Sequence, residues 1–211
     1  MKPIIDVSKH NGVLDWQAIK PQIDTAILRI GYRSYAVKGN IIKDSQFDYN
    51  EAECYRLLIP REYYYFPQEL TVSECAEAAI WLSYNLIIYK DLPISIWLDS
   101  EKAAPAGKTG RADNLSKSVR TNMLLTLRDF LRTLMPSWKI GIYASDAWVK
   151  DHLDYTMIRE NDIPLWIARY NGMKKGPSYP YQYWQYSSNG ALKGAGCCFD
   201  FSVRNGEKID H

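Results

Sequence analysis

A hydrophobic run, Ile94-Ser95-Ile96-Trp97-Leu98, leads directly into Asp99-Ser100-Glu101. Packing gives no reason for two acids at the end of such a run. Its β-branched and aromatic residues predict a buried strand over 94–101, bounded by Pro93 and by the loop Ala104-Pro105-Ala106-Gly107. Side chains alternate along a strand, so Asp99 and Glu101 are predicted to share a face. Two carboxyls held close cannot both ionise freely, and one pKa is expected to rise. A protonated acid beside a charged one is the equipment for splitting a glycosidic bond. Two solvated acids at a strand end would read the same way, so the surrounding elements must decide.

Those elements alternate. Pro3–Val7 reads as a strand that carries Asp6, followed by a turn at Asn11-Gly12 and a short helix opened by Asp15. Thr25–Tyr32 is apolar on both faces apart from Arg29, as in a parallel sheet covered by helices. A helix is predicted from about Asp44 to Leu58, then strand Tyr63–Phe66, then a helix over 71–88 capped by Thr71 or Ser73. Beyond the Asp99/Glu101 strand, Leu115, Val119, Met123, Leu127, Phe130, Leu131 and Leu134 recur at helical spacing from Asp113 to Met135. Lys139–Tyr143 is the fifth strand and Ser145 opens the helix after it; Pro164–Ala168 is the sixth. Tyr181–Tyr186 and Cys198–Val203 follow, separated by Gly/Ser/Asn/Lys-rich segments with no helical face.

Five strand–helix units followed by three strands predict an α/β, TIM-like barrel, modified as (β/α)5(β)3. Active sites of such barrels lie at the C-terminal ends of the strands. The last strand must close on the first, so Asp6 and Asp200 should be neighbours. Four carboxylates, Asp6, Asp99, Glu101 and Asp200, are then expected at one mouth, on strands that otherwise bury both faces. Solvated surface acids would not gather there.

The 211 residues suffice for one large core, read as a single catalytic domain over 1–211 with no appended repeat visible. A net charge of +2 does not imply a nucleic-acid partner. No apolar run approaches the ~20 residues of a membrane span. Met1-Lys2-Pro3-Ile4-Ile5-Asp6 reaches an acid before any long apolar stretch, so it reads as no signal peptide and as synthesis in the cytoplasm. The four cysteines, Cys54, Cys75, Cys197 and Cys198, form no C-x-x-C pair, and with three scattered histidines no metal-ligand spacing appears. Cys197 and Cys198 read as buried thiols, and no cofactor or metal is called for.

Several motifs together resemble the lysozymes of glycoside hydrolase family 25, the Chalaropsis-type N-acetylmuramidases. They are Ile5-Asp6-Val7-Ser8 with Asn11-Gly12; Ile94–Glu101; Ile140-Gly141-Ile142-Tyr143-Ala144-Ser145 with Trp148; Leu165-Trp166-Ile167-Ala168; and Trp184-Gln185-Tyr186-Ser187-Ser188 with Gly190. The resemblance implies the same barrel and cleavage of the β-1,4 bond between N-acetylmuramic acid and N-acetylglucosamine in bacterial peptidoglycan. It implies Glu101 as the acid that protonates the leaving oxygen. Asp99 would stabilise charge or orient the substrate's acetamido group, with Asp6 and Asp200 supporting. The unsignalled N-terminus would suit a phage endolysin acting on the wall from the host cytoplasm. Four positions depart from the family pattern: Glu62 replaces a small residue, Arg169 a glutamine, and Phe199 and Phe201 replace aliphatics beside Asp200.

Tyr64, Tyr143 and Trp184 are candidate aromatic contacts for sugar rings. Trp97 is predicted to point into the barrel beneath the acids. His10 and the basic residues Lys102, Lys108 and Arg111 read as solvated loop positions. Competing functions are hydrolysis of another amino-sugar polymer such as chitin, or a non-catalytic wall-binding barrel; the retained Asp99 and Glu101 argue against the latter. Retaining, inverting and substrate-assisted routes all remain open at this level. Acid–base work by carboxylates needs no metal. Wall-lysing activity should therefore survive exhaustive chelation; a loss restored only by a divalent ion would contradict the carboxylate assignment.

Overall fold

The computed structural model describes residues 2–104 and 107–206. Pro105 and Ala106 of the loop after Glu101, and the last five residues of the chain, lie outside the described residues. Nine strands alternate with helices: β1 (Ile4–Val7), β2 (Thr25–Arg33), β3 (Ile41–Lys43), β4 (Arg61–Phe66), β5 (Ser95–Asp99), β6 (Lys139–Ser145), β7 (Leu165–Ala168), β8 (Tyr183–Ala191) and β9 (Cys198–Arg204). The order β1-β9-β8-β7-β6-β5-β4-β2, with β1 also pairing β2, closes an eight-stranded barrel, and β3 hangs on β2 as an antiparallel flap. Pairing is parallel from β1 through β2 and β4 to β8, and antiparallel on both sides of β9. The expected modified TIM-like barrel is therefore present.

Helices form where the sequence supplies caps. Asp15 caps α1 (Trp16–Ile19), Thr71 caps α3 (Val72–Asn85), Ser116 caps α4 (Lys117–Leu134) and Ser145 caps α5 (Asp146–His152), each accepting a backbone N–H of the first turn. Between β3 and β4 lies α2 (Phe47–Arg56). A short α6 (Tyr155–Glu160), capped by Asp154, was not anticipated; one and a half turns carry too little periodicity to read. Helix α4 starts four residues later than expected, because Asp113 turns its carboxylate to the backbone N–H groups of Ala103, Ala104 and Gly110 instead.

The period of two sorts the strands into an outer layer against the helices and a barrel interior. Ile5, Val7, Leu28, Tyr65 and Leu98 face the helices. Ile4, Ile27, Tyr64, Trp97, Trp166 and Tyr183 form a separate interior cluster, with Tyr143 packed on it. Trp97 lies there as predicted, its ring edge-on to Trp166 with centroids 5.9 Å apart. Glu62 also points inward, where it accepts from Trp97 Nε1 at 2.7 Å and from the Tyr183 hydroxyl at 2.6 Å. The departure at position 62 thus satisfies two polar tips that would otherwise be buried without partners. Room for Trp97 comes from Gly141 on the neighbouring strand β6: a Cβ there would lie 2.4 Å from the indole and 2.9 Å from the Pro164 carbonyl oxygen. Gly141→Ala should accordingly cost about 1–3 kcal/mol by overpacking, read as a lowered midpoint in urea denaturation. A variant as stable as the parent would show that this floor is looser than its geometry.

Candidate active site

Above that floor the inward positions turn polar. Asp6 on β1 and Asp200 on β9 are partners in the antiparallel register that closes the barrel. Their carboxyls share a hydrogen bond, so one of the two must hold a proton. Burial first, and then the charge of Asp200, push the Asp6 pKa well above the carboxylate range. Burial also raises Asp200, and accepting from Asp6 offsets part of this.

Gln185 on β8 holds the pair in place. It is 1% exposed, and its Oε1 accepts from the hydroxyls of Tyr143 (2.8 Å) and Tyr170. Two donors on the oxygen fix the amide's orientation and leave Nε2 to donate to Asp6 Oδ2 at 2.8 Å. The inward pose of Gln185 forces Trp184 outward. Trp184 does not line the cleft; it packs near Tyr181 and Tyr186 and donates to the Arg169 carbonyl. The structure thus does not bring Trp184 to the cleft with Tyr64 and Tyr143.

Asp99 ends β5 and is buried, with Oδ1 lacking a hydrogen-bond partner. Its pKa is raised by burial, then by the charges of Glu101 and Asp6, with Arg29 opposing. The strand stops at Asp99, two residues before its expected end. Ser100 N still donates to Tyr143 O at 2.8 Å, but Trp148 Nε1 holds the Ser100 hydroxyl at 3.1 Å and the chain turns out of the barrel. Glu101 thus stands on the loop at the rim rather than on the strand. One face of it is open to solvent, yet the cleft walls surround it closely enough that burial, then the Asp200 charge, raise its pKa; Arg29 again opposes.

All four acids line one cleft of about 520 Å³. Tyr64, Tyr143, Trp166 and Tyr170 supply aromatic walls, and burial keeps the phenol of Tyr64 neutral. His10 and Asn11 sit on the rim. Burial, then the charges of Arg29 and Lys9, lower the His10 pKa, so it is neutral at pH 7. Cys198 is exposed and lines the same rim, against the expectation of a buried thiol, because its neighbour Phe199 takes the buried position at the start of β9. Lys102 lies in a separate surface hollow.

Two participants escaped the sequence reading. Arg29 is the one cation on the cleft floor among the described residues, bonded through Nε to Asp44 at 2.6 Å, while its buried Nη2 has no partner. A lone charge in a strand otherwise buried on both faces was the available signal. Gln185 stood within the motif Trp184–Ser188 but was given no role, since a polar residue in a predicted strand looks solvent-facing. Arg169 bonds Asp146 at 2.6 Å and Ser178 at 2.8 Å, which ties down the loop before β8 rather than adding a cleft contact.

The family model for glycosyl hydrolases family 25 matches residues 5–195. The chain belongs to that family. It is accordingly a glycoside hydrolase in its family assignment. No curated protein matches the sequence. Among solved structures, the modular autolysin LytC from Streptococcus pneumoniae superimposes with a TM-score of 0.77 at 23% identity, over 95% of this chain and 46% of LytC. This family 25 chain thus spans about half the length of LytC. A second LytC structure carries a synthetic peptidoglycan ligand. The catalytic domain of endolysin ply40, from a bacteriophage of Listeria monocytogenes, gives 0.75 at 19% identity over 98% of this chain and 94% of its own. A muramidase from Acremonium alcalophilum gives 0.73 at 20% identity, covering 98% and 95%. At these identities the likeness concerns the fold. No described helix is long and apolar enough to cross a membrane, and no described His/Cys/Asp/Glu group could hold a metal.

The raised carboxylates make stability depend on pH with a definite sign. Their folded pKa values exceed the unfolded ones, so the folded state keeps protons that the unfolded chain releases. Their contribution is fully present below the ordinary carboxylate pKa of about 4 and is lost as pH rises through the raised values. Asp200→Asn keeps an acceptor for Asp6 and removes one charge. It should melt at a higher temperature than the parent at pH 7, with the gain shrinking toward pH 4; a gain that grew on acidification would contradict the cluster.

Proposed function

We propose that this family 25 chain is a lysozyme, an N-acetylmuramidase that hydrolyses the β-1,4 bond between N-acetylmuramic acid and N-acetylglucosamine in bacterial peptidoglycan. The observation that carries the reading is the convergence of four acids with raised pKa values in one aromatic-walled cleft. The synthetic peptidoglycan ligand held by LytC, which shares the fold, supports the choice of substrate.

Glu101 is the general acid. It stands at the rim, within reach of a bond lying across the cleft, and its raised pKa keeps a proton available. That proton passes to the glycosidic oxygen as the bond from C1 to that oxygen breaks. Positive charge develops at C1 and its ring oxygen, and Asp99 lies deeper in the same cleft as its counter-charge or as the group that orients the acetamido oxygen. Water then adds to C1, and its proton returns to Glu101. Asp6, Asp200, Tyr64 and Tyr143 are supporting contacts for sugar hydroxyls and ring faces. Arg29 opposes the rise in pKa at both Asp99 and Glu101 and so lowers the cost of negative charge in the cleft.

The test is turnover of purified peptidoglycan and of chitin, with mass analysis of the new reducing ends. New muramic acid ends from peptidoglycan, with chitin left intact, are expected. The pH–rate profile should be bell-shaped, its alkaline limb reporting Glu101. Glu101→Gln should lower turnover by on the order of 10²–10⁴ with folding intact, and Asp99→Asn should also be severe. Lys102→Ala, outside the cleft, should change little. A Glu101→Gln enzyme retaining more than about a tenth of parent activity would remove Glu101 from the acid role.

A further inference from the structure

Behind Glu101 lies a second, much smaller chamber of about 20 Å³. Ala112, Leu115 and Leu124 form apolar walls, and Gln68, Glu69, Ser100, Glu101 and Arg120 supply its polar groups. Three of these side chains are almost fully buried: Gln68 is 1% exposed, Glu69 4% and Arg120 5%. Each has committed only part of its hydrogen-bonding capacity. Gln68 Nε2 donates to the Pro67 carbonyl. Glu69 Oε1 accepts from Arg33 Nε at 3.0 Å and from the Tyr65 hydroxyl at 2.9 Å. Arg120 Nη2 donates to the carbonyls of Ala112 and Asp113, and its guanidinium lies 5.0 Å from the centre of the Trp148 ring. The atoms left over are Gln68 Oε1, Glu69 Oε2 and Arg120 Nε, all buried and none with a protein partner.

A buried polar atom without a partner costs about 1–3 kcal/mol, so three around one chamber call for a shared ligand. Its chemistry follows from the atoms. A cation would meet the Arg120 N–H, and an anion would meet two acceptors, one of them a carboxylate. Only a molecule that both donates and accepts satisfies all three. The volume suits a single water, which needs about 10–15 Å³ by the same measure.

We propose that one bound water donates to Gln68 Oε1 and Glu69 Oε2, accepts from Arg120 Nε, and thereby pins the Ser100–Glu101 segment from behind, positioning Glu101. The water's remaining lone pair accepts the Ser100 hydroxyl proton, since the Ser100 oxygen itself already accepts from Trp148. The β4–α3 loop, α4 and the end of β5 then meet at one molecule. The effect on catalysis rests on reading Glu101 as the acid; the water site does not.

A high-resolution crystal structure of the unsubstituted protein should show an ordered water within ~3.2 Å of all three atoms. A chamber without one, or Arg120 Nε bonded directly to Glu69, would overturn the site whatever the enzyme's substrate. Gln68→Met removes an acceptor at similar length, and Ala112→Val fills the chamber from an apolar wall. Each should lower kcat on peptidoglycan by about tenfold with KM near the parent value and the alkaline pH limb unmoved. If either folded variant lost the water but kept kcat within about twofold, the positioning role would be wrong. Absence of peptidoglycan cleavage by the parent would count against the proposed function and leave the crystallographic result standing.

Discussion

The site depends on the way the barrel closes. The antiparallel β1–β9 pair that closes the barrel makes Asp6 and Asp200 direct register partners. Two carboxyls facing each other cannot both be charged at low cost, so closure itself creates a protonated acid at the centre of the cleft. Gln185 is the device that makes this tolerable. Tyr143 and Tyr170 saturate its oxygen, and the amide hydrogens must then point at Asp6. The closure, the proton and the amide orientation form one constraint, drawn from strands β1, β6, β8 and β9 and from Tyr170 beyond β7.

Beneath that constraint lies an unusually aromatic floor. Trp97, Trp166 and Tyr183 fill the interior, and each polar tip has a partner: Glu62 for Trp97 and Tyr183, Ser202 for Trp166. Burying a large side chain of this kind contributes roughly 1.5–3 kcal/mol, which offsets the cost of crowding acids above it. The floor also keeps water from approaching Asp6 and Asp99 from below, and that exclusion is what makes their mutual repulsion strong. The departure at Glu62 belongs to this floor, and that at Phe201 to the outside: the Phe201 ring lies where a Cβ on Gly190 would be, 2.4 Å from its atoms, so Gly190 lets β8 and β9 approach.

The strands, their order and the four acids were legible because a period of two and a parallel sheet leave strong marks, and because acids on buried strands are conspicuous. What was not legible was direction at the level of one residue. The strand was expected to run on to Glu101, whereas it stops at Asp99 and Trp148 holds Ser100; Asp99 and Glu101 still line the same cleft, as the shared face predicts. Trp184 was expected near the mouth, whereas Gln185 faces inward and Trp184 donates to the Arg169 carbonyl outside the cleft lining. In both places a contact distant in sequence decided what the local pattern left equivalent. The flap β3 and helix α6 were missed because three and six residues are too short to show a period.

Arg29 completes the logic of the cleft. Four acids alone would hold still more protons, and the fully enclosed Asp99 would be hard to ionise. A cation on the floor, itself anchored by Asp44, lowers the cost of charge on Asp99 and Glu101. Asp6 and Asp200 keep one shared proton between them. The outcome differs with depth: Asp99, fully enclosed and beside the charges of Glu101 and Asp6, has its pKa pushed up further than Glu101 at the rim, and Arg29 opposes both shifts. The turn at Ser100, which takes Glu101 off the strand, is what sets the two acids at different depths.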